Sequence, residues 1–197
     1  MKNKMLSVYQ FKITMLDIEP SIWRRIQVDN FIKLSRFSAI ILAVMGWNNS
    51  HLHRFEIGGK EYGMPDPDGF HDPEDLIDEK KKKLGSFSED DLKKFAFTYD
   101  FGDNWEHKIE LEEVLKFNYK GIQPKCIDGA RNCPPDDCGG AHGYESFLEA
   151  IRDPQHPEHD DMLRWIGGKF DPGKFSVRGA NRALLDVDSI EASFESA

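Results

Sequence analysis

The chain reads as an α+β protein: a mixed or mainly antiparallel sheet, one main apolar helix packed on it, and further helices at the C-terminal end. Three observations predict this. The N-terminal runs alternate apolar and polar residues, a single stretch near residue 40 switches to helical period, and helical patterns gather after residue 144. Strands first and helices last disfavour a doubly wound parallel fold.

Between Leu6 and Leu16, Tyr9, Phe11, Ile13 and Met15 share one face while Gln10, Lys12 and Thr14 share the other, the pattern of a half-buried strand. Glu19-Pro20-Ser21 is a turn, and Ile22 to Val28 continues as a second strand. Leu34, Phe37, Ile41, Val44 and Met45 then fall on one helical stripe, with Gly46 as the stop. Leu52 to Ile57 returns to alternation before a Gly58-Gly59 hairpin turn. Residues 63–79 read as an irregular acidic loop, and Lys80 to Lys83 as a solvated face. Phe95 to Phe101 and Asn104 to Leu115 are extended segments joined at Gly102-Asp103-Asn104. Period two sends Trp105, His107, Ile109 and Leu111 inward. Residues 118–143 read as a second irregular loop. Helices are expected from Tyr144 to Ile151, from Pro157 to Ile166 with Gly167-Gly168 ending it, and after Asp171-Pro172 near Asn181 to Leu185.

At 197 residues the expectation is one domain with a core over about 6–186. The longest apolar run, Ala39 to Met45, is far short of the ~20 residues that span a bilayer. Three cysteines without a secretory pattern at the N-terminus predict a cytoplasmic protein with reduced thiols and no membrane association. The net charge of −9 is uneven: residues 1–60 hold nine Lys/Arg against four Asp/Glu, residues 61–160 twelve against twenty-five. Binding to nucleic acid rests mostly on neutralising phosphates, so the acidic centre favours a protein partner over DNA.

Several landmarks coincide in order: Tyr9-Gln10-Phe11-Lys12-Ile13, Ile18-Glu19-Pro20-Ser21-Ile22-Trp23-Arg24-Arg25, Met45-Gly46-Trp47, His51-Leu52-His53-Arg54-Phe55, Tyr99 to His107, Cys126 to Tyr144, and Asp153-Pro154 with His156-Pro157-Glu158-His159. In this order, from about Tyr9 to about Leu185, the chain resembles the plasmid pRiA4b ORF-3-like family. The resemblance implies an α+β fold and a mobile-element passenger with a resolvase-like label, and it supplies no catalytic residues. A recombinase needs a Ser or Tyr nucleophile amid arginines, and here the arginines are scattered.

The residues that carry chemistry fall in two patches. In the first, Asp100 and Asp103 flank Gly102 and suit a turn, while Trp105 and His107 share a face, as do His51 and His53 on theirs. His51, His53 and His107 with Asp103 could form an imidazole–carboxylate site for zinc, iron or manganese. The competing reading buries His107 and Trp105 in the core. In the second patch, Cys126, Cys133 and Cys138 with His142 would satisfy tetrahedral zinc, although no Cys-x-x-Cys knuckle accompanies them and buried thiols in a loop compete. Arg131 and Asp136-Asp137 are expected to pair locally. The candidate pocket is therefore His51, His53, Asp100, Asp103, Trp105, His107 and Arg131.

Three functions follow from this. The first is an accessory or binding protein of plasmids or mobile elements, without catalysis. The second is a metal-dependent hydrolase in which bound water is the nucleophile. The third is a DNA-associated protein of a transposable element.

Overall fold

The computed structural model describes residues 7–65, 76–116 and 121–193. Strands β1 (Ser7–Met15) and β2 (Trp23–Asp29) pair antiparallel with Phe11 opposite Ile26, so the apolar alternation of both points to one face. Helix α1 (Leu34–Met45) lies against that face and stops at Gly46, whose φ of 110° is a left-handed conformation that glycine adopts without steric cost. Every residue of α1 except Arg36 is buried. Phe37 meets Phe11 and stacks on Phe55, which ties the helix to the centre of the sheet.

Strands β3 (His53–Ile57) and β4 (Lys60–Gly63) form the predicted hairpin around Gly58-Gly59. Strand β5 (Leu76–Asp78) pairs parallel with β4. After the short capped helix α2 (Glu89–Lys93), β6 (Lys94–Tyr99) and β7 (Trp105–Lys116) form a second hairpin. Strand β8 (Lys125–Ala130) lies against β2. The sheet order is β5-β4-β3-β6-β7-β1-β2-β8. Helices α3 (Gly140–Arg152), α4 (His159–Trp165), α5 (Val177–Ala183) and α6 (Val187–Ala192) complete the chain. A single hydrophobic cluster runs from Tyr9 to Val187. Among the described residues no helix is long and apolar enough to cross a membrane.

The two predicted irregular loops contain structure. Residues 76–81 hold β5 and a turn of 3₁₀ helix, and 125–130 hold β8; residues 66–75, with His71, and 117–120 lie outside the described residues. Both strands sit at sheet edges. Only Cys126 of β8 is buried, so the hydrophobic signal of a strand is missing. Asp171-Pro172 does not start a helix. Ser176 does, its hydroxyl accepting from the Gly179 N–H.

Candidate functional site

The β6–β7 turn is built on Asp100. Its left-handed backbone (φ 56°) closes the loop, and Oδ1 accepts from the N–H groups of Gly102 and Asp103 at 2.9 and 3.3 Å. That leaves Oδ2, which lies 3.7 Å from His51 Nε2. His51 precedes β3 in a bend, so it does not share the strand geometry of His53. Its Nε2 also lies 3.2 Å from Asp137 Oδ1, out of line for a hydrogen bond, and is buried without a hydrogen-bond partner.

Asp137 comes from the second patch. Asp103 holds that patch in place: its Oδ2 accepts from the Gly139 N–H at 3.0 Å. Gly140 packs so closely that a Cβ there would stand 2.5 Å from the Asp103 carbonyl oxygen. Only glycine permits this approach, at φ 69°. The two chemistry-bearing patches of the sequence thus meet.

Around this contact the ligand atoms of His51, Asp100 and Asp137 all lie within 4.8 Å of one another, the only such group of three among the described residues. Asp136 stands beside them. Its Oδ1 is buried with no hydrogen-bond partner, and Oδ2 is 3.5 Å from the Ser50 hydroxyl. Burial pushes its carboxyl up from the ordinary range, His51 opposes this, and Asp137 and Asp100 add to it. Tyr99 braces Ser50 from beneath, its hydroxyl accepting from the Ser50 N–H at 3.2 Å, while burial pushes the phenol up to about 12.

A family model described as plasmid pRiA4b ORF-3-like protein matches residues 7–179. The chain belongs to the plasmid pRiA4b ORF-3-like family. It is 37% identical over 184 residues to an uncharacterized protein, y4hQ, of Sinorhizobium fredii (strain NBRC 101917 / NGR234), covering 92% of each chain. The crystal structure of a protein of unknown function, MM3350, from Methanosarcina mazei Go1 superimposes with a TM-score of 0.78 at 38% identity. That match covers 89% of this chain and 98% of that one. Neither name assigns an activity, so residue geometry carries the functional argument for this pRiA4b ORF-3-like chain.

The other expected ligands of this family member go elsewhere. His53 Nε2 donates to Glu79, 3.1 and 3.2 Å from its two carboxylate oxygens, and both side chains are almost fully buried. His107 is wholly buried beside Trp47 and Phe97, and Nδ1 donates to the Phe97 carbonyl at 3.3 Å. Burial lowers it to about 4, so it is neutral in the fold. Trp105 is core, beside Trp47. Period two had pointed His107 and Trp105 inward, and the structure places both there.

Cys126, Cys133, Cys138 and His142 do not converge. Cys126 and Cys133 lie near the buried Arg24, whose guanidinium donates to the carbonyls of Val44, Trp23 and Ala130 and stacks on Phe175. Burial raises all three thiols, Cys138 to about 12. Arg131 does not pair with Asp136 or Asp137: among the described residues no carboxylate lies within 4.0 Å of it, because Asp137 faces His51 instead. Glu79 went unnoticed in the sequence, where nothing sets it apart from its acidic and basic neighbours. Asp136 and Asp137 were visible as a pair, yet nothing local says that they face residue 51.

Proposed function

We propose that the chain binds a divalent transition metal through His51, Asp100 and Asp137 and uses it to activate water for hydrolysis. The observation that carries this is the 4.8 Å convergence of one imidazole and two carboxylates from three separate segments. One nitrogen and two oxygens suit zinc, iron or manganese, and three protein ligands leave a position open for water. Asp136, with its unpaired buried Oδ1, would supply a hydrogen-bond acceptor beside such a centre. This is the hydrolase reading of the sequence with a new ligand set.

The test is elemental analysis of protein purified without affinity metal or chelator, followed by calorimetric titration with Mn²⁺ and Zn²⁺. About one equivalent is expected, with affinity at least tenfold weaker in His51→Ala and Asp100→Asn and unchanged in Cys133→Ser. Asn at 100 keeps an oxygen for the turn while removing the charge, so its loss reads ligation rather than folding. A folded protein that takes up neither ion at 1 mM would sink the reading.

A second reading, an accessory role without catalysis for plasmids or mobile elements, draws on the family's description and on an apolar groove of about 310 Å³. Phe147 and Met162 line the groove, and Trp165 stands 47% exposed at its edge. Metal uptake without turnover of p-nitrophenyl esters or phosphodiesters would favour it. A steep salt dependence of duplex binding would instead support association with DNA over a protein partner.

A further inference from the structure

Helix α3 has two lined faces. Gly143, Phe147 and Ala150 border the apolar groove, while Ala141, Tyr144 and Leu148 line a second cavity of about 500 Å³. By the period of 3.6 residues per turn these sets lie on opposite sides of the helix. The second cavity is bordered by the Asp17–Pro20 turn and by Arg131. Its volume is that of a small-molecule pocket.

Two buried donors converge in it. Tyr144 is 1% exposed, and its hydroxyl has no in-line hydrogen-bond partner. Arg131 lies close enough to donate to that hydroxyl oxygen, which leaves the phenol proton and the buried Nε of Arg131 without an acceptor. Arg131 also holds a left-handed backbone at φ 67°, a conformation that costs a non-glycine residue free energy. Among the described residues neither Arg131 nor Arg152, which also lines the cavity, has a carboxylate within 4.0 Å. Buried donors left unpaired are expensive, and a guanidinium beside a phenol O–H matches the two acceptor oxygens of a carboxylate.

The cavity does not suit a simple anion. Asp17, Glu19, Glu145 and Glu149 also line it and outnumber the two arginines. A phosphate or a dicarboxylate would meet net repulsion. A ligand that carries its own cation satisfies both halves. We infer that this cavity binds a small zwitterion, an amino acid or short peptide, with its carboxylate on Arg131 and Tyr144 and its ammonium among Glu19, Glu145 and Glu149. The inference is independent of the proposed metal site: the 131–140 loop gives Arg131 to this cavity and Asp137 to that site.

The test uses the whole chain, ¹⁵N-labelled, titrated with glycine, L-lysine, 6-aminohexanoate and glycylglycine, and with hexanoate, hexylamine and inorganic phosphate as arms that lack one charge. At least one zwitterion is expected to bind saturably at millimolar concentration or below and to shift the amides of Ala141 and Tyr144. Hexanoate, hexylamine and phosphate should bind at least tenfold more weakly. Tyr144→Phe, which keeps the packed ring, and Arg131→Met should each weaken the zwitterion at least tenfold. No zwitterion binding at 20 mM would overturn the inference. So would binding of phosphate or hexanoate as tight as that of the zwitterion, or a titration unchanged by Tyr144→Phe in a protein whose spectrum remains native.

Discussion

His51 and His53 stand two residues apart and serve opposite ends. His53 is sealed against Glu79 with side chains 2% and 3% exposed, while His51 is 29% exposed and faces two carboxylates that do not satisfy it. The first arrangement is buried on both sides and shuts out a ligand. The second leaves a buried nitrogen without a hydrogen-bond partner and a carboxylate, Asp137, that is 72% exposed. Burial away from solvent marks an imidazole that holds the fold, and convergence with carboxylates at the surface marks one available to a metal.

The contrast breaks first at Glu79. Removing the carboxylate leaves the buried His53 Nε2 without the acceptor it faces, so Glu79→Ala is expected to cost about 3 kcal/mol in urea unfolding. Metal affinity should be unchanged, because Glu79 belongs to the sealed arrangement. A loss of metal binding with little loss of stability would reverse the assignment of the two histidines.

His107 tests the same division by pH. The fold holds its imidazole neutral by burial, at about 4, whereas the unfolded chain takes up a proton near the ordinary imidazole value of 6.5. Its contribution is therefore complete above pH 6.5 and is lost as the pH falls toward 4, by up to roughly 3 kcal/mol at the acid end. Unfolding free energies from pH 7 to 4 measure this. The acid limb should be shallower in His107→Phe, which keeps a ring in the Trp47–Phe97 cluster. An unchanged acid limb in that variant would show that His107 is not the group responsible.

Much of this division was legible in the sequence, for reasons particular to each element. Leu34–Met45 was clear because its apolar stripe ends at a glycine, and β7 because the alternation from Trp105 to Glu112 fixes which face His107 takes. β5 and β8 were hidden because short edge strands need little burial, and period two says nothing when one residue in six is buried. The site was half legible. Asp100 and His51 were named as candidates, but the link to Asp137 depends on how a loop 37 residues beyond Asp100 folds back onto the β6–β7 turn. His51 and His53 were read as strand neighbours on one face, whereas β3 begins only at His53 and the bend before it turns His51 aside.

The smallest effect on stability is expected at the residue that joins the two patches. Asp103 does not belong to the converging group, and its carboxylate instead holds the Gly139 N–H two residues beyond Asp137. This hydrogen bond is exposed, so Asp103→Ala should cost about 1 kcal/mol in stability. The same loss loosens the loop that carries Asp137 and should weaken metal binding about tenfold, the equivalent of roughly 1.4 kcal/mol. Asp103→Asn separates positioning from ligation. The amide oxygen still accepts from Gly139 but lacks the negative charge that makes a carboxylate a strong ligand, so Asn should restore most of the affinity that Ala loses. If Asn binds metal as poorly as Ala, Asp103 is itself a ligand, and the centre is built on the turn rather than on His51 and the loop across from it.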